Sequence, residues 1–419
     1  MISLIEALNF RCLRYIRQPM GRFHVLVGPN ASGKTTFLDV VAFLGCLVSD
    51  GLEAAVRERT QNFADLVWGR AGARFELAVE ARIPEDRRRL LAEGYRRFEI
   101  VRYDVAIARD AETDEMAIVR EEAVLATEAP QENRQRDLFP QFNVPPNALG
   151  ERRGSRRKTL FRKVPGGNDN FYAEAFEKEG RWAPAFKLGP RKSTLANLPE
   201  DESKFPVSTW LKQFLTEGVE RITLNSLEIR KASPPGQGSG FKPDGSNLPW
   251  VAAGLRDKNP SRFKEWIAHL RTALPDLHDV RTTVRRDDLH RYLVLVYRGG
   301  LEVPSWVASD GTLRLLALSL LAYLDEFKGV YLIEEPENGI HPRAVEAMYQ
   351  SLSSVYGSQV LLATHSPVIL SAVEPEKVLC FAKTSDGATD IVLGSQHPKL
   401  RDWRGEENLG VLFAAGVLG

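Results

Sequence analysis

The chain predicts an α/β fold: a core sheet built around a glycine-rich loop, an antiparallel β-lobe beside it, and an inserted region of mixed helix and loop. Three observations carry this. The run Gly28-Pro29-Asn30-Ala31-Ser32-Gly33-Lys34-Thr35 lies between an apolar strand-like segment and an apolar helix-like one. Far downstream, apolar Val330 to Ile333 end in the adjacent carboxylates Glu334 and Glu335. Between them, residues 75–125 alternate with the period of two that half-buried strands show.

The elements follow in order. Ile2 to Phe10 reads as a first strand, and Phe23 to Val27 as a buried one leading into the loop. Thr35 to Leu47 reads as an apolar helix. Phe75–Ala81, Phe98–Ala108 and Met116–Leu125 read as antiparallel strands, with Glu85–Arg97 a charged helix between the first two. Residues 127–205 are rich in Pro, Gly, Asn and charge, with little periodicity. Amphipathic helices return at Thr209–Glu217 and Pro260–Leu274, then strands at Val280–Val284 and Tyr292–Tyr297. Leu313–Leu324 is a strongly apolar helix, Pro342 opens another, and Leu361–Ala363 is a last buried strand. We divide the chain into an N-terminal lobe (1–126), an inserted lid with a basic loop (127–290) and a C-terminal lobe (291–419).

Gly28 to Thr35 satisfies every fixed position of G-x-x-x-x-G-K-[ST]. Glycine lets such a loop turn its N–H groups toward phosphate oxygens, and the following helix adds its positive N-terminal end. Lys34 is placed to reach the terminal phosphates, and Thr35, with Thr36 beside it, opens the helix with a hydroxyl for Mg²⁺. Glu334 is the candidate metal carboxylate, one methylene longer than the aspartate common at such sites. Glu335 is the candidate base for an attacking water. His365, at the polar tip Thr364-His365-Ser366, is placed like a γ-phosphate sensor. Ser309-Asp310-Gly311-Thr312 opens the Leu313 helix, and Asn338-Gly339-Ile340-His341 is a turn. Taken singly, these last pieces also read as an ordinary surface histidine, helix cap and turn.

In this order the motifs resemble the ABC-type ATPases of the SMC, RecF and OLD group, over roughly residues 1–80 and 300–395. The resemblance implies an ABC head that binds and hydrolyses ATP with Mg²⁺. In it, Lys34 and Thr35 belong to Walker A, Glu334 and Glu335 to Walker B, Ser309 to Thr312 to the signature, Asn338 to Pro342 to the D-loop, and His365 is the switch histidine. Arg11, in the loop after the first strand, falls on the adenine side. It further implies a homodimer closed through ATP, with Ser309 and Gly311 of one copy over the nucleotide of the other. The signature departs from Ser-Gly-Gly-Gln in the manner of OLD-like ATPases, which argues against a transporter. No Q-loop glutamine is placed; Gln61 comes very early. The stretch after His365 holds no acidic Toprim cluster, so a nuclease would be a separate chain. The implied role is regulation of a DNA-directed process, such as anti-phage defence, through a separate effector. The alternative is a stand-alone RecF-like DNA clamp.

Composition sets bounds. The apolar share of 43% supports an ordinary core, and 56 basic against 55 acidic residues gives no overall signature of nucleic-acid binding. The local run Arg152-Arg153-Gly154-Ser155-Arg156-Arg157-Lys158, continuing to Arg162-Lys163 with Phe161 interleaved, is the candidate DNA contact. Three cysteines, Cys12, Cys46 and Cys380, show no metal or disulfide spacing, in keeping with the cytoplasm. No signal-peptide pattern and no bilayer-length apolar stretch are present, so no membrane role is expected.

Overall fold

The computed structural model describes residues 1–110, 115–127, 136–150, 157–175, 184–238, 240–325, 327–400, 408–414 and 416. The chain opens with β1 (Ile2–Phe10), β2 (Leu13–Pro19), β3 (Phe23–Val27) and α1 (Lys34–Ser49). Next come β4 (Arg74–Arg82), β5 (Ile100–Arg109) and β6 (Met116–Ala126), then the short β7 (Lys158–Arg162), β8 (Asp169–Phe171) and β9 (Ala185–Phe186). α2 (Pro206–Glu217) leads directly into β10 (Val219–Ile222), and α3 (Leu248–Lys258) and α4 (Pro260–Ala273) follow. β11 (Leu277–Val284), β12 (Arg291–Tyr297) and β13 (Glu302–Pro304) form an antiparallel trio. The last part holds α5 (Asp310–Leu320), β14 (Val330–Glu334), α6 (Pro342–Ser353), β15 (Gln359–Ala363), β16 (Val378–Lys383) and β17 (Thr389–Leu393).

Two large sheets organise the molecule. One is antiparallel, ordered β2-β1-β4-β5-β6-β7-β8-β9. The other, ordered β10-β14-β15-β3-β16-β17, is parallel except for β17. α1 is packed between them, and this explains its composition. Phe37, Leu38, Val40, Val41, Phe43, Leu44 and Leu47 point in several directions and all are buried, as an apolar helix inside a core must be. Its backbone also meets α2 closely: a Cβ on Gly45 would lie 2.7 Å from the Leu215 carbonyl oxygen. The opposite face of the parallel sheet is covered by α3 to α6, with Trp266, Leu313, Leu316, Met348 and Leu352 in a second core. The central strands of this sheet are largely apolar on both faces because both faces are covered.

The structure adds to or departs from the sequence reading in three places. Glu85–Arg97 is not one helix: it is a single turn, Glu85–Arg88, and a 3-10 turn, Glu93–Tyr95, around Gly94. The described part of the segment read as an inserted lid, 127–290, contributes strands to both large sheets. β7 to β9 extend the antiparallel sheet, and β10 is an edge strand of the parallel one. The basic run also needs correction. Arg152 to Arg156 lie outside the described residues, but Phe161 is buried in the core, and Lys163 is buried with its ammonium 2.8 Å from Asp169 and 2.9 Å from the Lys192 carbonyl. Lys158 sits over the rings of Tyr95 and Tyr172. Strand pairing through β7 turns Phe161 and Lys163 inward, while Arg162 between them is exposed.

Candidate functional site

The C-terminal tips of β3, β14 and β15 meet at the N-terminus of α1, the position where open α/β sheets bind ligands. A cavity of about 580 Å³ opens there. Asn30, Ala31, Ser32, Gly33, Lys34, Thr35 and Thr36 form one wall, with Arg11, Glu334, Glu335 and His365 around it.

The loop backbone is shaped by two contacts. Gly28 passes so close to β16 that a Cβ would lie 2.3 Å from the Phe381 carbonyl oxygen. Gly33 has a left-handed φ of 106°, and a Cβ there would lie 2.4 Å from the Thr389 hydroxyl. That hydroxyl donates to the Ser32 carbonyl at 2.8 Å, pinning the loop to β17. Lys34 Nζ donates to the carbonyls of Gly28 and Pro29 at 2.8 and 3.0 Å, which folds the ammonium into the loop's concavity. Burial lowers the Lys34 pKa, while Glu335 and Glu334 pull it back up.

Across the cavity, the Thr35 hydroxyl donates to Glu334 Oε2, and Arg221 donates to Glu334 Oε1 at 2.7 Å. Glu335 follows with a left-handed φ of 46°, a strained setting for glutamate, held by its N–H on the Ala363 carbonyl at 2.8 Å. Asn338 Nδ2 donates to Glu335 Oε2 at 2.6 Å. Glu337 joins this turn to the tip of β15: its Oε1 accepts from the Thr364 hydroxyl at 2.6 Å and from the His365 N–H at 3.1 Å. Burial, then the Lys34 charge, lowers the His365 pKa against the pull of Glu335 and Glu337. Near neutral pH the ring is therefore neutral, with one N–H to offer. Arg11, at φ 51°, reaches the cavity while pairing with buried Asp39 of α1 at 3.3 Å.

The arrangement suits a nucleoside triphosphate with magnesium. The Ser32 hydroxyl is buried with no hydrogen-bond partner, and no side chain caps α1, so donors face the cavity. Thr35 and Glu334 supply two hard oxygen donors. Among the described residues no cluster of three or more His, Cys, Asp or Glu could hold a metal by itself.

Ser309 and Gly311 do not line this cavity. They lie at the N-terminus of α5, where the Ser309 hydroxyl accepts from the Thr312 N–H at 3.2 Å and Asp310 pairs with Arg230 at 2.6 Å. Gly311 has an intramolecular reason to be glycine: a Cβ would lie 2.2 Å from the Gly339 carbonyl oxygen. Arg221, Glu337, Lys383 and the loop Asp65–Arg70 were not anticipated at the site. Gln61 is exposed and does not line the cavity; Asp65, Val67, Trp68, Gly69 and Arg70 do. Glu337 was visible in the run after Pro336, but nothing local marked it as a tether.

A parallel sheet with its phosphate loop, paired carboxylates and histidine at the strand tips, flanked by a large antiparallel sheet, is the fold of an ABC-type ATPase head. The chain belongs to the family described as "AAA domain, putative AbiEii toxin, Type IV TA system", whose model matches residues 23–371. Among solved structures it is similar to the SmcHead bound to the C-winged helix domain of ScpA. The TM-score is 0.50 and the identity 15%, over 93% of this chain and 97% of that one. An Smc head with an extended coiled coil, bound to the C-terminal domain of ScpA derived from Pyrococcus furiosus, matches at TM-score 0.50 and 13% identity, over 93% and 95%. No curated relative matches. No helix among the described residues is long and apolar enough to cross a membrane.

Proposed function

We propose that this chain binds and hydrolyses ATP with Mg²⁺ between two copies of itself, and that the cycle regulates a separately encoded effector. The observation that carries the dimer is the separation of Ser309 and Gly311 from the cavity that collects the other motif residues. The exposed N-terminus of α5, suited to phosphate, does not line the phosphate-loop cavity of its own chain. A second copy would supply one.

The roles follow from the geometry. Thr35 and Glu334 would hold the metal, and bound magnesium would neutralise charge on the phosphates. Lys34 would leave the loop carbonyls for phosphate oxygens. Glu335, oriented by Asn338, would accept the proton of the attacking water, and His365 would offer its ring N–H toward the terminal phosphate. Because the nucleotide would touch both copies, ATP would favour the dimer and hydrolysis would release it. The regulated process is a DNA-directed one in anti-phage defence, with a Toprim-type nuclease as the class of effector. The family description, a putative toxin of a toxin–antitoxin system, supports a regulated role of this kind.

The test is native mass with saturating ATP and Mg²⁺. Glu335→Gln should lower turnover by about 10²- to 10⁴-fold, the usual weight of a general base, and accumulate a dimer. Lys34→Ala should stay monomeric and bind ATP poorly. A monomeric Glu335→Gln protein with ATP demonstrably bound would overturn the sandwich.

A further inference from the structure

Glu334 has one more rotatable bond than an aspartate would. Holding its carboxylate in a single place costs side-chain entropy, so a metal site built on glutamate needs something to restrain it. The structure shows the restraint. Thr35 donates to one carboxylate oxygen and Arg221 to the other, at 2.7 Å. Arg221 and a cation beside Thr35 therefore need not compete for the same oxygen. The register explains how the arginine arrives. β10 runs parallel to β14 with Arg221 opposite Leu332, two residues before Glu334. With a side-chain period of two, Arg221 shares the sheet face of Glu334 and α1.

The pair is not there for stability. The Arg221 side chain is 46% exposed, and ion pairs at such positions stabilise little. Its effect is on where the carboxylate points, the way outer partners orient metal ligands elsewhere. We infer that Arg221 is a positioning residue that aims Glu334 at the magnesium of a bound nucleotide. The role rests on the reading of Glu334 as the metal carboxylate. It also makes the geometry of a core carboxylate depend on the 206–222 segment, since α2 runs straight into β10.

The test measures metal binding without turnover. Mn²⁺ affinity is followed by electron paramagnetic resonance on the full chain with a non-hydrolysable ATP analogue. Arg221→Ala should weaken Mn²⁺ binding by about tenfold, the low end for outer-shell partners, because the pair is half exposed. Arg221→Lys keeps stem and charge but not the fork, and should fall between Arg221→Ala and wild type. In a Glu334→Asp background the extra rotatable bond is gone and less restraint is needed, so Arg221→Ala should have a smaller effect than in wild type. Unchanged or tighter binding in Arg221→Ala, with Glu334→Gln weakened, would make the arginine a bystander or a competitor and end this inference alone. Unchanged binding in Glu334→Gln would remove the metal carboxylate reading and this role with it. If Arg221→Ala fails to fold, wild-type affinity in Arg221→Lys overturns the proposal.

Discussion

The two large sheets use charge in opposite ways. In the antiparallel sheet, charges lie mid-strand and buried: Arg102, 2% exposed, is ringed by Glu6 at 2.9 Å, Glu80 at 3.1 Å and Asp104 at 2.7 Å. Glu76 nearby takes Arg120 and the Leu149 N–H, at 2.8 and 2.9 Å. The central strands of the parallel sheet are apolar along most of their length and carry Glu334 and Glu335 at a tip, with Thr35 and Arg221 on Glu334 and Asn338 on Glu335. Similar residue types thus do different work. Buried among cations of its own sheet, a carboxylate is closed to a ligand. At a partly open strand tip it can take a cation or a proton.

The largest test of this contrast is Arg102→Ala. It would leave three carboxylates around an empty place, and breaking a buried ion cluster by removing one member costs about 3–5 kcal/mol. Chemical denaturation should show that loss, while nucleotide binding by the folded fraction stays normal. Glu335→Gln should do the reverse, with stability near wild type and turnover lost. A mild effect of Arg102→Ala on stability would mean the cluster is solvated and the contrast false.

Gly311→Ala is a smaller perturbation that separates the cavity from the α5 face. The new Cβ would meet the Gly339 carbonyl oxygen at 2.2 Å, so α5 and the turn after Glu335 must part, at about 1–3 kcal/mol for such overpacking. Since Gly311 does not line the cavity, ATP binding to the monomer should persist. The ATP-dependent dimer should weaken, which titration of native mass against protein concentration would show. Equal loss of monomer ATP binding would mean that the two regions are one unit.

The same contrast explains what was legible beforehand. The tips of the parallel sheet announce themselves because each apolar run stops at a polar residue: Val27 before Gly28, Ile333 before Glu334, Ala363 before Thr364. Their convergence is a consequence of parallel pairing in register, Ile333 opposite Leu362 and Leu362 opposite Val25. The far end of the antiparallel sheet was hidden. β7 to β9 are short and surrounded by turn residues, and only Phe161 and Phe171 signal a core. Lys163 reads as surface charge until its Asp169 partner is known. Arg221 was hidden for a related reason: the four residues of β10 have no pattern, and their meaning comes from the strand beside them.

Buried titratable groups also interrupt the parallel sheet, Asp390 in β17 among them, and His24 yields the smallest prediction. His24 in β3 accepts from the Gly21 N–H at 2.7 Å, and its other ring nitrogen lies 3.3 Å from the Lys377 carbonyl. Burial lowers its pKa to about 4, although the Lys377 carbonyl pulls it up. Protonation would remove the acceptor that Gly21 uses. The unfolded chain takes a proton near the ordinary imidazole value of about 6.5, whereas the folded chain resists until about 4. Above that window the histidine contributes nothing to the pH dependence. As pH falls through it, the unfolded state gains a proton first, and stability drops by up to about 1.4 kcal/mol per pH unit. His397, also lowered to about 4 by burial, has the same sign. His24→Gln keeps an acceptor for Gly21 but cannot titrate. Denaturation midpoints between pH 6.5 and 4 should therefore fall less steeply for His24→Gln than for wild type, with the His397 share still present. An unchanged slope would mean that His24 is reached by water, and that the core of the parallel sheet is more open at its N-terminal edge than at the tips where the chemistry lies.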